Sequence, residues 1–183
     1  MNNCWKTVNV TREFGQSRLY LMSSFLAFFT FILLFLPYSI YHQNIVIKDH
    51  GFIPLLIILM TLPTVHQMAH VIPLILCYKR TKINWDLAFK CIPILRVRPR
   101  SSLSKKPSIF MWFGPTLFLT VPGLITGAVL GNYYPYILLF VALNIGMSFK
   151  DFFYIKQFLK APKKCKIEDA KDGYDILIQK KHP

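Results

Sequence analysis

Acidic residues are scarce in this chain: 8 Asp and Glu against 22 Lys and Arg in 183 residues, a net charge of +14. Only 16% of residues are charged, where a soluble domain has about 25%. The four cysteines, Cys4, Cys77, Cys91 and Cys165, include no CxxC pair. That spacing excludes the usual zinc-thiolate and redox motifs and gives no disulfide framework. There is no phosphate-cradling glycine loop, no arguable Ser-His-Asp arrangement, no internal repeat and no low-complexity tract. No nucleic-acid recognition motif accompanies the basic charge, so we expect no nucleic-acid partner.

What is abundant is apolar residues, 54% of the chain, gathered in long runs with the charges between them. About 20 apolar residues cross the hydrocarbon of a bilayer. Four uncharged runs approach that length: 19–40, 51–76, 110–130 and 133–149. Unpaired backbone groups are too costly in lipid, so each run must be helical. The expected fold is an all-α membrane protein with four transmembrane helices, a single membrane domain over 1–183. Only Gly131 and Asn132 separate the last two runs, which makes them an antiparallel hairpin. The first run follows Lys6, Arg12 and Arg18 but is longer than a signal-peptide core and lacks a small-residue cleavage site, so it reads as a retained span.

Lys and Arg set the orientation. Three lie before the first run, one between the first and second, nine in 77–108, none in the third join and nine from Lys150 onward. Basic segments stay cytoplasmic. Both termini and the 77–108 loop are therefore expected inside, with the positive face toward anionic lipids. In that loop, Ile83 to Lys90 and Leu95 to Arg100 alternate apolar and polar residues. This period argues for half-buried strands, a small cytoplasmic β-hairpin or an interfacial segment holding Trp85 and Phe89. Lys156 to Lys166 is helix-compatible as far as Pro162, and Asp172 to Ile178 reads as a turn and short strand.

The second run carries polar atoms where they are most expensive, in His66-Gln67-Met68-Ala69-His70. Residues i and i+4 share a helix face, so the two imidazoles can meet one zinc ion. The alternative is that they bond neighbouring helices in the bundle. A zinc site needs a third protein ligand. Asp151, at the cytoplasmic end of the fourth run, is the best candidate, although an ordinary interfacial carboxylate beside Lys150 has the same sequence. Asn144 is weaker because amides are poor zinc ligands. His42 and His50 fall on the outer side, and His182 lies in the tail.

HxxxH in the second run, a basic strand-like loop, Phe113-Gly114-Pro115 opening the third and Ser148-x-x-Asp151 closing the fourth together resemble one family. So do Lys160-Ala161-Pro162 and Asp172-Gly173. It is the group of small bacterial membrane proteins described as putative zincin peptidases, similar in architecture to site-2 intramembrane proteases. The resemblance spans roughly residues 15 to 178. It implies a peptidase fold in a bacterial plasma membrane, with zinc on His66, His70 and Asp151. The family and zincins generally carry HExxH, and here Gln67 takes the place of the glutamate. That carboxylate accepts a proton from the attacking water and returns it to the leaving amine. A primary amide does neither, and losing a general acid/base costs about 10²–10⁴ in rate.

Gln67 implies a degenerate peptidase, a base supplied elsewhere or a trapping substitution. Three roles follow for the chain. It is a zinc metallopeptidase acting on membrane-protein segments, with the hairpin offering an edge strand to substrate. It is a catalytically silent, zinc-binding regulator or scaffold. Or it is a small transporter component without metal, against which the uncharged spans weigh.

Overall fold

The computed structural model describes residues 2–48, 51–78, 81–88, 92–99, 101–170 and 173–179. His50, Phe89, Lys90, Cys91, Arg100, Asp172 and His182 lie outside the described residues. The apolar runs are helical. The first is α2 (Gln16–Tyr41), continuous through Pro37 and preceded by the short α1 (Val10–Phe14). The second is α3 (Ile53–Ala69) and α4 (Val71–Leu76), which break at His70. The third is α5 (Lys105–Pro115), a π-helical stretch over Thr116–Thr120, and α6 (Val121–Val129). The fourth is α7 (Tyr134–Met147), followed at a 44° bend by α8 (Phe149–Lys160). A 3₁₀ turn over Gly131–Tyr133 joins α6 to α7, the hairpin expected there.

Prolines explain the breaks, because each removes an N–H and crowds the carbonyl four residues back. Pro73 lies four residues after Ala69 and removes the donor its carbonyl would need. Pro115 and Pro122 bracket the π stretch, where the ladder loosens to the wider register.

Among the described residues, three helices are long and apolar enough to cross a membrane, or four if the bent pair α7–α8 counts as one span. Their outer surfaces are large and apolar: Phe28, Leu33 and Ile40 of α2 are 60%, 70% and 71% exposed. That surface is compatible with lipid contact and would be a liability in water.

The β structure exceeds the expectation of an all-α chain. The anticipated hairpin is present as β2 (Thr81–Ala88) and β3 (Ile92–Pro99), antiparallel from Thr81↔Pro99 to Ala88↔Ile92, with β3 beside α3. A second, four-stranded antiparallel sheet was not anticipated. It has the order β1 (Asn2–Val8), β6 (Gly173–Gln179), β5 (Cys165–Ala170), β4 (Leu103–Ser104). The tail strand expected near Asp172 to Ile178 is β6, and its partner is the N-terminus, with Val8 opposite Tyr174. The correction has a physical reason. The polar Asn2-Asn3-Cys4-Trp5-Lys6-Thr7 stretch shows no clean alternation, and its pairing partner is far along the chain. The sheet's inner face, Val8, Ile167, Tyr174 and Ile176, packs on Tyr154 and Phe158 of α8. Cys165 is buried in that core, and burial pushes its thiol up, away from the metal-binding thiolate form.

Two glycines let helices approach closely. A Cβ on Gly146 would lie 2.6 Å from the Ser23 carbonyl, so α7 presses directly on α2. A Cβ on Gly114 would lie 2.5 Å from the Ala69 carbonyl, the one freed by Pro73. This seats α5 against the break at His70. Gly114→Ala should therefore push α5 away and destabilise the fold by about 1–3 kcal/mol, seen as a lower unfolding midpoint in detergent. An unchanged midpoint would contradict this close seating.

Candidate metal centre

His66 lies one turn before the end of α3 and His70 is the residue at its break, so both imidazoles leave the same face. Their ring centroids are 5.2 Å apart and nearly perpendicular. Asp151 stands in the first turn of α8, just past the bend at Ser148. That bend turns the chain so that its carboxylate meets both rings: Oδ2 is 3.2 Å from His66 Nε2 and 3.6 Å from His70 Nε2. All three residues are buried, 2%, 3% and 4% exposed. One ligand atom from each lies within 4.8 Å of the others.

The hydrogen bonds behind the rings fix their tautomers. His70 Nδ1 is 2.9 Å from the Met111 carbonyl, which can only accept, so Nδ1 carries the proton. His66 Nδ1 is 2.9 Å from Asn144 Oδ1. The amide cannot be reversed, because Asn144 Nδ2 donates to the Pro115 carbonyl at 3.2 Å and to Thr120 Oγ1 at 3.0 Å. His66 Nδ1 is therefore also a donor. Both neutral rings then turn a bare Nε2 lone pair toward Asp151 Oδ2, which is buried without a hydrogen-bond partner.

With both rings neutral, three acceptors converge with no proton among them, a repulsive arrangement. A proton on His66 would pair one nitrogen and leave His70 Nε2 still facing the carboxylate. The α8 N-terminus favours a carboxylate by only about 0.3–1 kcal/mol, too little against a burial cost of several kcal/mol. A divalent cation reaching all three atoms removes the repulsion. Two imidazole nitrogens and one carboxylate oxygen are zinc's ligand types, and three protein ligands leave a fourth position open, as in catalytic rather than structural sites. The residues present thus fit a zinc ion.

The sequence-predicted ligands His66, His70 and Asp151 come together. Gln67 follows His66 on α3 and is half-buried. His42 belongs elsewhere: it is buried between the Gly127 carbonyl, 3.2 Å from Nε2, and the Tyr134 ring, bracing the α6–α7 turn. Asn144, the weaker alternative to Asp151, stands behind His66 rather than beside Asp151. It is a partner behind a ligand, fully buried, with its own carbonyl accepting from Ser148 Oγ at 2.9 Å. Sequence reasoning passed over Trp112, whose ring stands edge-on to His70 at 5.0 Å and lies against Tyr154 at 4.6 Å.

Two histidines a helical turn apart and a carboxylate from a second helix define a protein of zincin type. The chain belongs to the family described as "Putative zincin peptidase", whose model matches residues 56–166, from the second apolar run through β5's first residues. Neither a curated protein nor a solved structure matches the chain.

Asn144→Leu removes the acceptor behind His66 and should weaken zinc binding about 10–100-fold in a chelator-competition titration. Thr120→Val, which loses only the outer bond to Asn144, should cost less. Equal affinity in Asn144→Leu and wild type would refute this role.

Proposed function

We propose that this chain is a multi-pass protein of the bacterial plasma membrane that holds zinc on His66, His70 and Asp151 and engages a membrane-protein segment without hydrolysing it at a conventional rate. The orphaned donor set supports the metal. Gln67, at the position of the general base, supports the silence. Bound zinc would supply a Lewis acid that polarises a backbone carbonyl. The protein's own groups do the rest. Asn144 and the Met111 carbonyl hold the imidazoles in their ligand tautomers, and Trp112 packs against His70. The Gln67 amide can hydrogen-bond a water or a carbonyl but cannot carry a proton between them.

The orientation we propose places both termini and the β2–β3 hairpin on the cytoplasmic side. The Lys and Arg distribution supports this, and the pairing of β1 with β6 keeps the two termini at one end of the bundle. The site lies near that end, because Asp151 belongs to the helix on which the sheet packs. A substrate or partner would approach from the cytoplasmic interface. The role is that of a regulator or scaffold descended from a site-2-protease-like peptidase.

Gln67→Glu separates silence from activity. Wild type and variant would be reconstituted with a membrane-anchored reporter carrying an unstructured juxtamembrane segment. The variant should cleave it about 10²–10⁴ faster than wild type, which stays at background. Zinc-dependent cleavage by wild type, abolished by His66→Ala, would overturn the proposal.

A further inference from the structure

The helix that carries Asp151 has a second face that the metal centre does not use. Asp151, Tyr154 and Phe158 point inward and are buried. On one flank Phe152 and Leu159, seven residues apart and so in line along the helix, are 36% and 60% exposed. Lys156 and Lys160 form the adjacent exposed row, and the exposed Lys163 and Lys164 follow at once. From 152 to 167 the chain has five lysines and no acidic residue. An apolar row flanked by a basic row is the pattern of a helix lying in a membrane interface.

The surroundings hold it in that pose. The 44° bend at Ser148 turns α8 away from the line of the apolar α7. Lys105 Nζ donates to the Leu159 and Ala161 carbonyls at 2.9 and 2.6 Å, fastening the far end of α8 to the start of α5. The lysine row is left facing outward, and Lys106, exposed beside Lys105, adds a further positive charge.

We infer that α8 is a docking surface for anionic phospholipid: Phe152 and Leu159 enter the acyl region while Lys156, Lys160, Lys163 and Lys164 take the headgroup phosphates. This rests on the membrane placement proposed above. A stretch with four exposed lysines and no acidic residue of its own discriminates between lipids by charge, and apolar contact alone does not. Each lysine near an anionic surface favours it by about five-fold at physiological ionic strength.

Leu159→Trp in vesicles tests this, read as quenching of the added fluorescence over wild type. One vesicle set contains brominated phosphatidylglycerol in phosphatidylcholine and the other contains brominated phosphatidylcholine at the same mole fraction. The anionic lipid should quench several-fold more strongly. Adding Lys156→Gln, Lys160→Gln, Lys163→Gln and Lys164→Gln should equalise the two lipids while zinc content stays that of wild type. Equal quenching by both lipids before neutralisation would overturn headgroup recognition. No quenching by either would overturn it too, and would remove this helix from the bilayer without touching the metal assignment. Loss of the preference in inorganic phosphate but not in chloride of equal ionic strength would mark a free-anion site and refute the lipid.

Discussion

A buried carboxylate facing two imidazole lone pairs is the constraint around which the rest of this molecule is arranged. Asp151 Oδ2 lies 3.2 and 3.6 Å from the Nε2 atoms of His66 and His70, and neither nitrogen carries a proton while both rings are neutral. Left alone, these three atoms would cost several kcal/mol. The surrounding structure does nothing to relieve them and much to hold them there. The Met111 carbonyl and the Asn144 amide each commit the far nitrogen of a ring, so that the near one stays bare. Such second partners orient ligands and raise their basicity. A cation reaching all three atoms would remove that cost.

The scaffold follows from that need through its irregularities. Pro73 breaks the second run at His70, and Gly114 brings α5 onto the freed Ala69 carbonyl, which places Met111 behind His70. The π stretch after Pro115 leaves the Pro115 carbonyl and Thr120 hydroxyl for Asn144. Gly146 sets α7 close to α2, and the bend after it aims Asp151 inward. The terminal sheet braces α8 through Tyr154 and Phe158. Gln67 stands apart from this design: it follows His66 on α3 and carries an amide.

The helices, the hairpin and the ligand trio could be read in the sequence because each leaves a local or periodic mark. Uncharged runs mark the helices, alternation marks β2 and β3, and an i, i+4 spacing marks His66 and His70. Asp151 was legible as the one acidic residue at a matching depth. The four-stranded sheet was not, because β1 has a mixed polar pattern and pairs with residues at the other end of the chain. The ring partners were harder still. Any residue at 111 offers the same carbonyl to His70. Asn144 looks like any polar residue in an apolar helix until its distance to His66 is known. The breaks at His70 and Thr116–Thr120 follow from Pro73, Pro115 and Pro122, which lie inside runs whose lack of charge marks them as single spans.

Zinc K-edge absorption on the detergent-purified wild-type protein tests the metal centre most directly. One zinc per chain should appear, with two imidazole nitrogens and a carboxylate oxygen in its first shell and no sulfur. Asp151→Ala should lose the metal or the oxygen contribution. A protein that binds no zinc at saturating metal, or a shell dominated by cysteine sulfur, would contradict the assignment.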